Sequence, residues 1–324
     1  MIALRLIIIF IFSFLLIKSS ELVIISLKKI SAKTKTGVFA LSAIIMAIGT
    51  SLPELFLGIT AALDGSPNLS LGNVIGANIA NITLVAGLSA AVFAKSVHIR
   101  EDYLHKDVGI ALIAGIAPII LILDKSLSRV DGLVLLSVYG VYATSIFKKR
   151  YTEIARGGEV SDHFHKILRS IPIFDGKNTK ELGRLFLGIA LLLFSGNIIV
   201  ENAEWVAHAT NIPIFLVGLI ILSIGTTLPE IAFSAKSLRD HEPSMFLGNL
   251  LGSIIANSTF VIGLVAVISP IKIQAFQDYT VAASTFLLVF LLFWFFVKSK
   301  HRLDRWEAIL LLTLYIIFIL LEFM

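Results

Sequence analysis

The chain of 324 residues contains no cysteine. Disulfides, thiolate metal sites and a cysteine nucleophile are therefore excluded. Charge is also scarce. Asp, Glu, Lys and Arg supply 15% of the residues, where a soluble domain carries about 25%. No GxxxxGK[ST] segment is present, so the phosphate loop of an ATP-driven pump is missing. What fills the chain is apolar: 57% of residues, with a mean hydropathy of +0.92. This excludes a soluble two-domain enzyme and indicates an integral membrane protein. The net charge of +5 then reflects loop bias rather than a nucleic-acid partner.

A spanning helix needs about 20 mostly apolar residues. Ten such spans can be drawn: 3–27, 36–62, 70–94, 107–123, 130–147, 182–206, 213–238, 246–268, 280–297 and 306–323. Barrel strands would instead alternate in short segments. The first span resembles a signal peptide in length. It has no small-residue cleavage site, and Lys18 and Glu21 lie inside it, so it reads as a mature helix. The longest polar stretch, 148–181, divides the chain into two sets of five spans, 1–147 and 182–324. With the N-terminus outside, inside loops hold 22 Lys and Arg and outside segments hold 4. The bias predicts a multi-pass cell-membrane protein with both termini outside and the 148–181 loop in the cytoplasm.

The chain also repeats itself. Residues 49–90, GTSLPELFLGITAALDGSPNLSLGNVIGANIANITLVAGLSA, align without a gap on 225–266, GTTLPEIAFSAKSLRDHEPSMFLGNLLGSIIANSTFVIGLVA, at a shift of 176, with 19 of 42 positions identical. Shared leucines mean little in apolar helices, whereas shared Gly, Pro, Glu and Asn in register mean much more. Five spans per half is an odd number, so the halves enter the membrane from opposite sides. The predicted fold is all-α: ten transmembrane helices as two inverted five-helix repeats, with a site near the midplane.

Within GTSLPE, Pro53 lacks an N–H and clashes with the carbonyl four residues back, at Gly49. The carbonyls of Ala47 to Thr50 then need partners, which hydrocarbon does not offer. A bound cation is one such partner. Thr50 lies four residues before Glu54, on the same helix face, so carbonyl, hydroxyl and carboxylate converge. Residues 225–230 repeat this with Thr226, Pro229 and Glu230. One copy alone would be explained by a proline kink with an interfacial glutamate. Two copies in register favour function, because charge inside a span is costly.

The second shared element is GNVIGANIAN, 72–81, matched by GNLLGSIIAN, 248–257. Gly72 and Gly76 are spaced for close helix approach to the broken helix. Asn81 and Asn257 each follow their glutamate by 27 residues. Their carbonyls are hard-oxygen donors, and interhelical hydrogen bonding is the alternative use. Asn73 and Asn249 read as packing hydrogen bonders. All these donors are oxygens, which suit Ca2+ and Na+. The seven histidines, His98, His105, His163, His165, His208, His241 and His301, all fall in loops or near span ends, which argues against zinc, copper or a histidine proton relay.

GTSLPE…GNVIGANIAN with GTTLPE…GNLLGSIIAN resembles the α-1 and α-2 repeats of the calcium/cation antiporter superfamily, and most closely its sodium/calcium exchanger branch of compact prokaryotic type. The resemblance spans the chain, with its specificity in 47–81 and 223–257. It implies Ca2+ on Glu54 and Glu230 with the carbonyls of Thr50 and Thr226. It implies Na+ sites that also use Ser51, Thr227, Asn81, Asn257 and Ser253. Ala47 and Ser223, which open the two motifs, complete the candidate set. It further implies alternating access by sliding of spans one and six against the other eight. Ala77, Asn257 and Ser223 depart from the family pattern, standing where serine, aspartate and alanine are usual.

The reading is thus a secondary antiporter exchanging Ca2+ for Na+, with no cofactor, the lipid bilayer as surroundings, and no nucleic acid or obligate protein partner. A Ca2+/H+ antiporter of the same fold and a cation channel are the alternatives. An intramembrane enzyme would need a nucleophile–base pair or a zinc site, and neither is found. Three other features have structural readings. Lys18 and Glu21 form a neutralising pair. Glu201 and Glu204, near Trp205, are interfacial or line an outer vestibule. Phe293, Trp294, Phe295 and Phe296 form an interface belt.

Overall fold

The computed structural model describes residues 1–33, 51–93, 96–98, 107–155 and 179–322. The described helices are α1 (Ile2–Lys33), α2 (Leu52–Leu63), α3 (Pro67–Phe93), α4 (Asp107–Leu121), α5 (Arg129–Ala155), α6 (Thr179–Thr210), α7 (Ile214–Arg239), α8 (Pro243–Ile268), α9 (Phe276–Lys300) and α10 (Arg305–Glu322). Six of them, α1, α3 and α6 to α9, are long and apolar enough to cross a membrane, and α2 and α4 are shorter apolar helices. The first part of the predicted second span, 36–50, lies outside the described residues. The predicted 148–181 loop is shorter than expected at both ends. Helix α5 continues to Ala155 and α6 begins at Thr179, because polar residues sustain a helix beyond an apolar span as readily as apolar ones.

The connections α2–α3 and α7–α8 have the same construction. Ser66 N–H bonds to the Ala61 carbonyl and Glu242 N–H to the Ser237 carbonyl, each at 2.8 Å. This six-residue closure is a helix C-cap that requires a left-handed residue. Gly65 (φ 80°) supplies it in one turn and His241 (φ 60°) in the other. Pro67 and Pro243 then open the next helix, where a missing N–H costs nothing.

Two short antiparallel strand pairs tie loops together. β1 (Ser96–His98) pairs with β4 (Arg302–Asp304), and β2 (Ser126–Leu127) with β3 (Ile271–Lys272). They join the α3–α4 link to the α9–α10 link, and the α4–α5 link to the α8–α9 link.

Helices α1 and α6 run antiparallel. Arg5 Nη1 donates to Asn202 Oδ1 at 2.9 Å near one end, and Lys29 Nζ lies 3.9 Å from Glu181 Oε1 near the other. Both are peripheral: over an apolar 18-residue stretch of each helix, 28% of the residues of α1 and 33% of those of α6 are buried, against 83% in α3. Their inner faces share one hydrophobic cluster, including Ile9, Leu16, Leu192 and Ile199, with Leu57 of α2 and Leu69 of α3. A second, larger cluster joins α3, α4 and α7 to α10. Lys18 and Glu21 pair at 2.9 Å, as expected. The aromatic run does not form one belt. Phe293 and Phe296 are buried in the larger cluster, Phe295 is exposed, and Lys298 Nζ sits 4.6 Å from the Trp294 ring centre. Four consecutive helical residues span about 300° of the helix circumference, so they cannot all face lipid.

Among the described glycines, the tightest approaches lie between α3 and α7. A Cβ at Gly72 would lie 2.0 Å from the Phe215 carbonyl oxygen, one at Gly76 2.0 Å from that of Leu219, and one at Gly218 2.2 Å from that of Leu69. Only glycine permits this approach, as the Gly72–Gly76 spacing predicts.

Candidate ion-binding site

Helix α2 begins at Leu52, just after Ser51, and α7 is interrupted at Thr227 and resumes at Leu228. Ser51 (φ −90°, ψ 9°) and Thr227 (φ −85°, ψ −2°) have nearly the same backbone. Pro53 and Pro229 both lie in the first turn of the helical segment that follows, and in α7, where the preceding turns are described, the interruption falls two residues before the proline. Glu54 and Glu230 occupy those first turns. There the unpaired amides and the positive end of the helix dipole favour a carboxylate.

Both glutamates are buried, Glu54 completely and Glu230 to within 1%. Each carboxylate lies near its own backbone N–H, and the Thr226 hydroxyl faces Glu54. None of the four carboxylate oxygens makes a hydrogen bond of good geometry among the described residues. The two groups are close enough that their charges repel. A buried carboxylate without a partner is expensive, and two facing each other more so, unless a cation lies between them. Among the described residues no three His, Asp or Glu side chains gather to hold a metal. The remaining donors here are neutral oxygens.

Those neutral donors differ between the halves. Ser51 Oγ is buried and has no hydrogen bond among the described residues, whereas Thr227 Oγ1 donates to the Ser223 carbonyl at 2.9 Å. Thr226 Oγ1 donates to Asn73 Oδ1 at 3.2 Å, so Asn73 is the expected packing partner. Asn73 Nδ2 and Asn249 Nδ2 are alike in having no hydrogen bond among the described residues. Asn81 is fully buried with both amide atoms unbonded. Asn257 Nδ2 donates to Asn78 Oδ1 at 3.3 Å, leaving its Oδ1 buried and unbonded. Ser253 is buried, as is Ala77. Ser223 is engaged locally: its hydroxyl donates to the Leu219 carbonyl, and its own carbonyl also accepts the Thr227 N–H at 3.0 Å. Thr50 and Ala47 lie outside the described residues.

Two features escaped the sequence reading. The first is a set of three π-helical segments among the described residues, Asn81–Val85 in α3, Val217–Leu222 in α7 and Ala256–Val261 in α8, of which the first and last lie at equivalent positions and hold Asn81 and Asn257. Such wide turns cluster at functional sites, and no residue pattern announces them. The second is Asn78, three residues before Asn81 and so on the same helix face. Its Nδ2 donates to Ser258 Oγ at 2.8 Å.

At the α2–α3 turn, Asp64 faces Glu204 and Glu201. Partial burial, then these two charges, raise its carboxyl above the usual range. Glu204 accepts a hydrogen bond from Ser66 Oγ, and Glu201 from Asn197 Nδ2 at 2.8 Å.

The family model described as Sodium/calcium exchanger protein matches two segments of the chain, residues 4–148 and 180–324. Inner membrane protein YrbG of Escherichia coli is 31% identical over 255 residues, 77% of this chain and 76% of that one. Sodium/calcium exchanger MaX1 of Methanosarcina acetivorans is 24% identical over 344 residues, 95% of each. The solved structure of the sodium-calcium exchanger NCX_Mj, soaked with Na+ and Ca2+, superposes with a TM-score of 0.60 at 28% identity, covering 96% of both chains. With nearly the whole sequence matched, buried carboxylates at equivalent repeat positions and a membrane-scale helical fold, this chain belongs to the sodium/calcium exchanger protein family.

Proposed function

We propose that the protein is a Ca2+/Na+ antiporter of ten transmembrane helices in two inverted repeats, with its ions held between Glu54 and Glu230. The observation that carries this reading is the pair of buried glutamates, each in the first turn of a helical segment, with none of their four carboxylate oxygens hydrogen-bonded among the described residues. Their combined charge of −2 is matched by one Ca2+ or two Na+. The carbonyls of Thr50 and Thr226 join them on Ca2+. Ser51, Thr227, Asn81, Asn257 and Ser253 serve Na+, and Ala47 and Ser223 open the two motifs.

Exchange follows from electrostatics. An unloaded site would carry −2 through a low-dielectric interior, where uncompensated charge is expensive. The protein therefore reorients only when loaded, and one ion leaves as another replaces it. The moving part is the α1/α6 pair. Its peripheral position and shared cluster support this reading.

The inverted arrangement draws support from three facts. Helices α1 and α6, at equivalent places in the two halves, run antiparallel. The family model fits each half separately. The strand pairs join links that the charge count assigns to the same side, inside for β1–β4 and outside for β2–β3.

The test is 45Ca2+ flux in proteoliposomes under imposed Na+, H+ or K+ gradients. Uptake driven by Na+ alone is expected. Uptake driven only by a pH gradient would establish proton exchange on the same glutamates, and Ca2+ flow without a counter-ion would establish a channel. Sidedness is read separately in this cysteine-free chain: Lys125→Cys should label from outside and Arg302→Cys from inside.

A further inference from the structure

Asn257 is an amide rather than a carboxylate, and the two kinds of side chain make different demands on a cation site. A carboxylate offers oxygen whichever way it turns. An amide has one end that attracts a cation and one that repels it, and half a turn about its last bond exchanges them with almost no change in shape. An asparagine serving a cation therefore needs its orientation fixed.

In the second half of the chain that fixing is present. Asn78 Oδ1 can only accept a hydrogen bond, so the Asn257 end that faces it is Nδ2, at 3.3 Å. Asn78 is held in turn through its own Nδ2, which donates to Ser258 Oγ at 2.8 Å. Asn78 is 3% exposed, Ser258 1% and Asn257 0%, so water does not compete for these bonds. The wide π turn of Ala256–Val261 carries both Asn257 and Ser258, and the two neighbours meet the same asparagine across the α3–α8 contact. The first half lacks these parts. The residues equivalent to Asn78 and Ser258 are Ile254 and Ile82, and neither amide atom of Asn81 has a hydrogen bond among the described residues.

We propose that Asn78 is a positioning residue that sets the orientation of Asn257, with Ser258 anchoring it, so that the second repeat presents a preset carbonyl oxygen to Na+ while Asn81 does not. This rests on the reading of Asn257 as an ion ligand given above. Asn78 touches no ion itself.

The experiment compares Na+ inhibition of Ca2+ binding with Ca2+ affinity at fixed pH, in wild type, Asn78→Leu, Asn78→Asp, Asn257→Ala and the double variant Asn78→Leu/Asn257→Ala. Asn78→Leu is expected to raise the Na+ midpoint about fivefold, the weight of one neutral hydrogen bond, with Ca2+ affinity unchanged. Asn78→Asp keeps the accepting oxygen and should keep the wild-type midpoint or lower it. In the Asn257→Ala background, Asn78→Leu should add nothing. Three results would overturn the proposal. One is an unchanged Na+ midpoint in Asn78→Leu when Asn257→Ala raises it. Another is equal losses of Na+ and Ca2+ binding in Asn78→Leu, which mark a packing role. The third is additive effects in the double variant. An Asn257→Ala protein with wild-type Na+ inhibition would instead remove the ligand reading on which the proposal rests.

Discussion

Asp64 and Asp240 lie 176 residues apart, and both close their helices with the backbone bond that ends α2 and α7, to the carbonyls of Thr60 and Lys236 at 2.9 Å each. Their neighbours are not the same. Asp64 faces Glu201 and Glu204 of α6, whereas Asp240 closes a helix whose last turn holds Lys236 and Arg239. The same contrast runs through both repeats. Among the described residues Ser51 Oγ has no partner where Thr227 Oγ1 is engaged, and Asn81 has none where Asn257 is held. Gly72 and Gly76 touch the α7 backbone, while a Cβ at Gly248 or Gly252 meets nothing among the described residues. The repeated sequence thus places similar polar groups in both halves, and their surroundings among the described residues differ.

The largest expected effect tests where the halves are alike. Glu54→Gln and Glu230→Gln each leave a divalent ion under-neutralised in a low dielectric, at a cost of several kcal/mol. Both should nearly abolish Ca2+ uptake by proteoliposomes while the protein still elutes as a folded species. Wild-type transport by either variant would show that its glutamate is not a ligand.

Next in size is the packing contrast. Gly72→Ala and Gly76→Ala force a Cβ against backbone oxygen and should cost about 1–3 kcal/mol, read as a lowered midpoint of thermal unfolding in detergent. Gly248→Ala and Gly252→Ala should cost less. If they prove equally costly, the two halves pack alike through residues outside those described.

A smaller effect is expected at the hydroxyl that differs. Ala77 and Ser253 are equivalent positions, so Ala77→Ser should strengthen Na+ competition against Ca2+ and Ser253→Ala should weaken it. Each change should be severalfold, on the order of one hydrogen-bonding group. Midpoint and Hill slope of Na+ inhibition measure both. A response at 253 alone would mean that position 77 does not face an ion.

The smallest effect concerns Asp64. Its carboxyl is raised by partial burial and by Glu204 and Glu201, so its ionised form is disfavoured in the folded protein. That penalty is absent below the carboxyl's unfolded value and grows as pH rises through the folded one. Asp64→Asn should therefore stabilise slightly at neutral pH and lose the advantage in acid, followed as unfolding midpoints across pH. An advantage that persists in acid would assign it to packing instead.

Much of this protein is determined by its sequence alone. Hydrophobic spans set the helices, because a bilayer leaves the backbone no other way to satisfy its polar groups. The exact spacing of 176 residues identified the repeat, and with it the glutamates and asparagines, since buried charge and amide survive in apolar helices only for a reason. Tertiary structure decided the rest. Helical segments start at Leu52 and Leu228, one residue before each proline, because a proline without an N–H belongs in a helix's first turn, where no bond is lost. The π turns depend on packing between helices and leave no mark in composition. The direction of an amide depends on what stands opposite it, and Asn78, which directs Asn257, lies 179 residues away in the chain.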